Sequence, residues 1–426
     1  MKISQEKKHV AVFVFPFGSH PVPLLNLVLK LAHATTNNLQ FSFIGTEHSN
    51  KPLLSKPHLP DNIKFYSVSD GVPEGHVLGN HPIERVNLFL EAGPENLQKG
   101  IDMAVAETKE RVTCIIADAF VTPSLTKCAN NSDTNTPLDF IPGLSKMRVE
   151  DLPEDVINSG SEEETLFSKT LASLGSVLPQ AEEVVVNFFV ELDPTSLVHD
   201  MRSKLKCFLY VGFLTLSLPL PPLPPSDTDA TGCLSWLDHK KKKNGGSVAY
   251  VSFGTVVTPP PHEIVAVAEA LEASGFPFLW SLKEHLKDLL PRGFLERTSE
   301  NGKVVAWAPQ TEVLGHGSVG VFVTHCGCNS VFENMCNGVP MVCRPFFGDH
   351  GLTGRMVEDV WEIGVRVEGG VFTKDGLVKC LKLVLVEEKG KRMKENALKV
   401  KKTVLDAAGP QGKAAQDFKT LVEVVT

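Results

Sequence analysis

Short apolar strand patterns alternate with helix patterns along this chain, and that alternation restricts its possible folds more than any other feature. In the first half, the strand patterns cover His9–Phe15, Gln40–Thr46, Ile63–Ser67, Val112–Asp118 and Val184–Phe189. Between them, apolar residues recur with helical spacing in Pro23–Ala34 and in Glu84–Lys109. Alternating strands and helices predict an α/β fold with a doubly wound parallel sheet.

The alternation stops at a proline-rich stretch and then starts again. The run LSLPLPPLPPSD ends at Asp227, and a stretch this rich in proline is stiff and extended, which suits an interdomain linker. Beyond it, the predicted strands are Ser247–Phe253, Phe276–Leu282, Lys303–Ala306 and Val319–Thr324, and a helix is predicted at His262–Ala273. We therefore predict a first domain over residues 1–213, a linker over 214–230, a second domain over 231–405, and a C-terminal helix over 406–426 that packs across the domain junction.

Length and charge exclude several classes of protein. A chain of 426 residues is too long for one core and fits two domains of about 200 residues each. The net charge of −8 argues against a nucleic-acid partner, which requires a basic surface. The basic run Lys240–Lys243 is expected to be a solvated loop.

Cysteine usage and hydropathy indicate a cellular compartment. Nine cysteines without a repeated CxxC indicate reduced thiols in a cytoplasmic protein. The apolar run near the N-terminus meets Pro16 and is interpreted as a strand instead of a signal peptide. No stretch of about 20 apolar residues predicts a membrane span. We expect a monomer.

A turn rich in small residues follows the predicted strand Val319–Thr324. It reads His325-Cys326-Gly327-Cys328-Asn329-Ser330 and leads into a helix pattern that contains Glu333. A strand that runs into such a turn, with an Asn-Ser cap opening a helix, is typical of an anion site because free backbone N–H groups and the positive helix end point there. The alternative is structural, because Ser330 and Glu333 also have the S-x-x-E spacing of a capping box.

A histidine and a carboxylate follow two strands of the predicted first sheet. His20 lies in a Gly-Ser-His turn after the first strand, and Asp118 ends another. In an open α/β sheet this edge borders the ligand crevice. A histidine whose tautomer is fixed by a carboxylate can act as a general base. The alternatives are a helix-capping or merely exposed His20 and an Asp118 that caps the next turn.

Seven segments together resemble the plant UDP-sugar-dependent glycosyltransferases, in particular those that modify flavonoids at the 3-hydroxyl. They read FPFGSHP, IIADAF, LDFIPGLSKMRVEDLP, VVVNFF, GCLSWLD, SVAYVSFGTVVTPPP and the 44-residue segment from Trp307 to His350. The resemblance implies two Rossmann-like domains that face each other across a cleft, an arrangement known as the GT-B type. It also implies inverting transfer of a hexose from a UDP-sugar to a flavonoid hydroxyl, with His20 as the base and Asp118 as its partner.

The same resemblance implies which residues bind the donor. Trp307 would stack on uracil, Ala308 and Gln310 would bind the nucleotide, and Glu333 would bind the ribose. The further donor residues are Thr255, His325, Asn329 and Ser330 around the diphosphate, Gly327 and Cys328 in the same turn, and Asp349 and His350 at the sugar. His325 and the positive end of the helix that begins near Asn329 would stabilise the leaving UDP. No metal and no cofactor is therefore expected, the UDP-sugar being a co-substrate. For Trp307, core packing is the alternative.

Acceptor contacts are predicted at His20, Phe120, Phe189 and Gly348. Phe120 and Phe189 suit a flat phenolic molecule, and core packing is an equally good interpretation of both. Two rival sites are weaker. A metal site at His316, His325, Cys326 and Cys328 lacks a second ligand pair at zinc spacing. A nicotinamide oxidoreductase would need a G-x-G-x-x-G after a strand, and the sequence has none.

The sequence departs from the family pattern in two places within the Trp307–His350 segment. Cys328 stands where the family has a tryptophan that touches the sugar. His350 stands where glucose-using members have glutamine, and in the family histidine here is associated with galactose donors. The donor sugar is therefore open between glucose and galactose.

A third departure lies after Asp118. A strand and helix are expected there, but Pro123 is followed by the polar run LTKCANNSDTNTP. About one strand–helix unit, roughly 30 residues, is absent. Loss of such a unit leaves apolar sheet and backbone groups uncovered. The alternative function is therefore a catalytically impaired protein that binds UDP or flavonoid, or a truncated gene product.

Overall fold

Two α/β units, each with its own parallel sheet, make up the protein. The computed structural model describes residues 8–35, 39–55, 58–79, 82–121, 141–153, 174–225, 228–244 and 247–426. The first unit comprises Met1–Ser132, Asp155–Thr215 and Pro410–Thr426, and the second comprises Asp133–Glu154 and Leu216–Gly409. Among the described helices, none is both long and apolar enough to cross a membrane.

The first unit is built on a parallel sheet. Its elements are β1 (Lys8–Phe13), α1 (Pro21–Ala34), β2 (Leu39–Thr46), α2 (Glu47–Leu54), β3 (Ile63–Val68), α3 (Pro82–Glu91), α4 (Gly93–Thr108), β4 (Cys114–Ala117), β5 (Val184–Val186), α5 (Thr195–Lys204) and β6 (Phe208–Tyr210). Four strands pair in the order β3-β2-β1-β4, all parallel. The strand order reverses between β1 and β4, so the crevice expected of such a sheet opens at their carboxyl ends.

Strand β4 is an edge strand in the described part of the chain. Strands β5 and β6 pair only with each other and not with β4, although both pieces contribute to one apolar cluster. On β4, Ile116 packs against this cluster, whereas Ile115 is 56% exposed. A parallel strand is normally covered on both faces. This exposed edge is where the absent strand–helix unit was predicted, and residues 122–140 lie outside the described residues.

The second unit is a six-stranded parallel sheet with its helices. Its strands are β7 (Val248–Ser252), β8 (Phe278–Ser281), β9 (Gly302–Val305), β10 (Val319–Thr324), β11 (Met341–Cys343) and β12 (Gly364–Arg366). Its helices are α6 (Cys233–Asn244), α7 (Pro261–Ser274), α8 (Phe294–Thr298), α9 (Gln310–Gly315), α10 (Cys328–Asn337), α11 (His350–Arg355), α12 (Lys374–Leu385) and α13 (Glu388–Ala407). The strand order β12-β11-β10-β7-β8-β9 reverses between β10 and β7, which again defines a crevice at their carboxyl ends.

The final helix, α14 (Lys413–Val425), returns to the first unit. Its Leu421 and Val425 lie in the same core cluster as residues of β1, and Asp417 accepts a hydrogen bond of 3.0 Å from the backbone N–H of Tyr210. The predicted C-terminal segment therefore begins too early at residue 406, because α13 continues to Ala407 in the second unit. The crossing lies at Pro410.

Residues 133–154 also correct the predicted domain boundaries. We predicted a first domain that runs without interruption over residues 1–213, but residues 141–153, the described part of this stretch, group with the second unit. There the buried Asp151 forms ion pairs with Arg355 and Arg366. Pairings this distant in sequence leave no local pattern from which they can be predicted.

Two helix predictions need correction. The helical pattern Glu84–Lys109 is two helices, because Pro94 lies in the first turn of α4, where its missing N–H is tolerated. The run Lys240–Lys243 belongs to α6 and is not a loop. The Lys240 side chain is buried, donates to the carbonyl of Glu300 and lies 5.3 Å from the Trp236 ring centre. Its long aliphatic stem makes that burial tolerable.

Candidate active site

The first unit brings His20 and Asp118 together at the reversal point of its sheet. His20 lies in the loop after β1, and Asp118 follows β4, which is the neighbour of β1. His20 Nδ1 lies 2.9 Å from Asp118 Oδ2. The carboxylate thereby favours the tautomer with a proton on Nδ1, which leaves Nε2 as the basic nitrogen.

A purely capping role is absent for His20 but present in part for Asp118. His20 is the N-cap residue of α1, but its side chain makes no capping hydrogen bond. Asp118 does stabilise the following turn, because its Oδ1 accepts a hydrogen bond of 3.0 Å from the Phe120 backbone N–H. Its other oxygen remains available for His20, so Asp118 serves both purposes.

Aromatic rings surround the His20 imidazole. Phe15 and Phe120 present their rings edge-on at centroid distances of 5.0 and 5.1 Å. Phe17 and Phe89 extend this aromatic group behind Phe15. Phe120 was predicted here and does lie here. Phe189 does not, because it is only 2% exposed and packs at 4.8 Å against Phe213, so the core-packing interpretation applies to it.

The second unit has a cavity of about 460 Å³ at the carboxyl ends of its central strands. Five predicted donor residues line it, namely Thr255, Trp307, Ala308, Gln310 and Glu333. The Trp307 indole is 62% exposed, which contradicts core packing and leaves a flat apolar face open to the cavity. An exposed indole beside a polar cavity is suited to stack on a planar base.

A hydrogen-bond network fixes the carboxylate of Glu333. The Gln310 amide Nε2 donates to Glu333 Oε2 and to Ser330 Oγ, each at 2.9 Å. Tyr250 donates to Gln310 Oε1 at 3.3 Å. Burial raises the pKa of Glu333 above its ordinary value, while the hydrogen bond from Gln310 lowers it. Gln310 was predicted to contact the nucleotide directly, but here both of its donors orient Glu333 and Ser330.

His325 is buried at the end of β10. A Cβ atom at Gly327 would lie 2.5 Å from His325 Nε2, so only glycine leaves room for this ring. Burial, and then repulsion between its imidazolium and a protonated His350, lower the pKa of His325 from 6.5 to about 3. The imidazole is therefore neutral at neutral pH. Without a diphosphate beside it His325 therefore carries no positive charge, because desolvation penalises the imidazolium. Its predicted role toward the leaving UDP stays a prediction.

Helix α10 begins one residue earlier than predicted. Gly327 is its N-cap, and no side chain caps its first turn. Ser330 and Glu333 therefore form no capping box, and the N–H groups of Cys328, Asn329 and Ser330 have no partner within the helix. The predicted Asn-Ser cap is wrong, but the predicted anion site remains, because these N–H groups carry the positive end of the helix dipole.

Cys328 and the two predicted sugar contacts, Asp349 and His350, lie together around the start of α11. Cys328 Sγ donates to Asp349 Oδ2 at 2.7 Å, and Asp349 is the N-cap residue of α11. Burial, followed by the Asp349 charge, raises the pKa of the Cys328 thiol far above its ordinary value, so the thiol keeps its proton. His350 Nδ1 accepts from the Phe346 backbone N–H at 3.4 Å, which leaves its Nε2–H as a donor. Gly348 lies in the loop before Asp349.

The four residues of the alternative metal site do not converge. His316 Nε2 lies 3.1 Å from Asp238 Oδ1, and its Nδ1 accepts from the Ser318 backbone N–H. Cys326 is buried and hydrogen-bonded to Cys343. Among the residues that the structure describes, no group of three or more such side chains could hold a metal ion.

Sequence reasoning missed part of each site. Around His20 it missed Phe15, Phe17 and Phe89, and in the cavity it missed Tyr250 and Lys283. Lys283 lies two residues after the end of β8, so its position after a strand was a usable signal. Tyr250 lies inside β7, where nothing in the pattern separates a cavity residue from core.

Comparisons with known proteins agree on one family. Residues 115–407 match the family model described as UDP-glucoronosyl and UDP-glucosyl transferase. An anthocyanidin 3-O-glucosyltransferase of Vitis vinifera is 46% identical over 454 aligned positions, which cover 98% of this chain and 97% of that protein. An anthocyanidin 3-O-galactosyltransferase of Rhododendron delavayi is 45% identical, with 98% and 97% covered.

A solved structure gives the same result for the fold. It is a crystal structure of a UDP-glucose:anthocyanidin 3-O-glucosyltransferase in complex with UDP, with a TM-score of 0.90 and 59% identity over 98% of this chain and 99% of that one. The alignment with the grape protein has 454 positions against 426 residues here, so at least 28 positions lack a residue in this chain. The predicted fold class, two doubly wound domains of the GT-B type, is confirmed, and the chain belongs to the UDP-glycosyltransferase family.

Proposed function

We propose that this protein transfers a hexose from a UDP-sugar to the 3-hydroxyl of a flavonol or anthocyanidin, with inversion at the anomeric carbon. Relatives whose names state this activity cover nearly the whole chain. The observation that carries the proposal is the 2.9 Å contact between His20 Nδ1 and Asp118 Oδ2, because it leaves a basic Nε2 among aromatic rings.

His20 would remove the acceptor proton as the oxygen attacks the anomeric carbon. Asp118 would stabilise the imidazolium that forms. The four aromatic rings near His20, from Phe15, Phe17, Phe89 and Phe120, support a planar phenolic acceptor. One displacement inverts the configuration, so an α-linked donor gives a β-glycoside.

In the second unit, the cavity would hold the nucleotide. Trp307 would stack on uracil, Ala308 would bind the uracil edge through its backbone, and the buried Glu333 would accept hydrogen bonds from the ribose. The uncapped first turn of α10, together with Thr255, would bind the diphosphate. The leaving group then gains its stabilisation from backbone N–H groups aimed at the developing charge. In this proposal the UDP-sugar is a co-substrate, and no further cofactor takes part.

The donor sugar would be selected at the start of α11. His350 presents its Nε2–H as a donor, and Asp349 is held by the Cys328 thiol. A neutral imidazole donor in place of an amide, which both donates and accepts, changes which sugar hydroxyl can be bound. We propose UDP-galactose as the preferred donor, with UDP-glucose as the second substrate to be compared.

UDP release with a flavonol and each UDP-sugar tests the function. We expect turnover by the natural chain, loss of turnover in His20→Ala, and no change in His33→Ala, since His33 is an exposed residue of α1. The product should be a β-glycoside by NMR. UDP binding without turnover in the natural chain would contradict the proposal and indicate a binding protein.

A further inference from the structure

A buried carboxylate supports the start of α11 from a distant part of the sequence. Asp151 lies at the end of the 3-10 turn Val149–Asp151 and is only 1% exposed. Its Oδ2 accepts from Arg355 Nε at 2.8 Å, and its Oδ1 accepts from Arg366 Nη1 at 3.0 Å. Arg355 is the last residue of α11, and Arg366 is the last residue of β12.

The backbone of Asp151, and not only its side chain, contacts α11. A Cβ atom at Gly351 would lie 2.6 Å from the Asp151 carbonyl oxygen, so the turn lies directly against the first turn of α11. Gly351 immediately follows His350, and Asp349 is the N-cap of the same helix. The turn that carries Asp151 therefore contacts α11 at its start, and the carboxylate binds its last residue.

A second arginine–carboxylate pair holds the other side of this loop. Arg344 Nε donates to the buried Glu263 at 3.0 Å, and the guanidinium lies 3.8 Å from the Phe346 ring centre. The segment from Arg344 to Arg355 is thus fixed at both ends by charged pairs within the second unit. A buried pair of this kind requires both partners, because removing one leaves an uncompensated charge.

We propose that Asp151 is a positioning residue for donor-sugar recognition, acting through Arg355 and α11 to hold Asp349 and His350 in place. This rests on the proposed function only in that Asp349 and His350 contact the sugar. In the described part of the chain, the hydrogen bonds of the Asp151 carboxylate go to Arg148, Arg355 and Arg366, and none reaches the nucleotide part of the site from Trp307 to Glu333. Sugar recognition and nucleotide binding should therefore respond differently to its loss.

The test uses Asp151→Asn in the full chain, with Glu150→Gln as its matched control. Glu150 is the adjacent carboxylate, binds the same Arg355 at 3.0 Å, and its side chain is 48% exposed, so this pair contributes less than the buried one. We expect Asp151→Asn to raise KM for the UDP-sugar about tenfold or more, because small displacements of binding groups are costly. The Kd for UDP by calorimetry should stay within about twofold, as for an independent site. Glu150→Gln should leave both unchanged.

A folded Asp151→Asn variant with unchanged KM would overturn the proposal, and so would a Kd for UDP that rises as much as KM. If Asp151→Asn does not fold, Arg366→Gln decides instead, since it removes one of the two arginine partners and should raise KM in the same direction.

If the natural chain shows no turnover with any UDP-sugar, the proposed function fails, and a spectroscopic readout still tests the positioning. The imidazole resonances of His350, assigned with His350→Gln, should shift in Asp151→Asn and not in Glu150→Gln. Identical His350 resonances in the natural protein, Asp151→Asn and Glu150→Gln would overturn the positioning role.

Discussion

His20 Nδ1 lies 2.9 Å from Asp118 Oδ2, although the two residues are 98 positions apart in the sequence. Each follows a strand, and those strands are neighbours at the point where the strand order of the first sheet reverses. The topology of the parallel sheet therefore assembles the pair. This arrangement gives one nitrogen a fixed proton and leaves the other free to accept one.

Asp118→Asn should lower kcat by about 10²–10⁴-fold, the usual contribution of a positioned base, with little change in KM for the UDP-sugar. The amide can no longer stabilise an imidazolium. Steady-state kinetics with a flavonol checks this, with Asp102→Asn on the exposed face of α4 as the control. Equal kcat in natural and Asp118→Asn proteins would show that Asp118 has only a capping role.

Trp307→Ala should weaken UDP binding by about 1–3 kcal/mol, which is roughly 5–150-fold in Kd, through loss of base stacking. Because the indole is 62% exposed, the free energy of unfolding should hardly change. Calorimetry with UDP and chemical denaturation together test this expectation. Val386→Ala removes a similarly exposed side chain of the second unit and should change neither quantity. A large loss of stability in Trp307→Ala would indicate a packing role.

Acidification should destabilise the protein through His325. Burial, and then repulsion from a protonated His350, lower its pKa from 6.5 to about 3 in the folded protein. Between pH 6.5 and pH 3 the imidazole is therefore protonated in the unfolded chain and neutral in the folded protein. The contribution of His325 to the free energy of unfolding is therefore fully present above pH 6.5. It decreases from pH 6.5 towards pH 3 by at most roughly 1.4 kcal/mol per pH unit.

Urea unfolding of the natural protein and of His325→Asn at pH 7 and pH 5 checks this, with exposed His33→Asn as the control. The natural protein and the control should lose stability more steeply than His325→Asn. Equal losses in all three would contradict the assigned pKa.

The two adjacent isoleucines of β4 should respond oppositely to threonine. Ile115→Thr, on the exposed face, should change stability by less than about 0.5 kcal/mol and reduce aggregation, because it removes apolar surface from an open edge strand. Ile116 packs against the core cluster. Ile116→Thr should therefore lower the free energy of unfolding by about 1–3 kcal/mol. Denaturation curves and light scattering give both values, and equal costs would mean that β4 is covered on both faces.

The sequence determined the two doubly wound units, most strand positions and the residues at strand ends. Buried parallel strands require apolar runs, and loops at their carboxyl ends carry the polar residues that meet in the crevice. These are properties of short segments, so His20, Asp118, Trp307 and Glu333 were all identified from local pattern and from resemblance.

Only the tertiary structure decided how those residues are held. Four findings depend on partners distant in sequence. They are the neutral His325, the Gln310 network around Glu333, the grouping of residues 141–153 with the second unit, and the burial of Phe189. Desolvation and ion pairing arise from the surroundings of a residue and not from its neighbours in the chain. For that reason the sequence identified the chemical groups, and the packed structure decided their protonation and orientation.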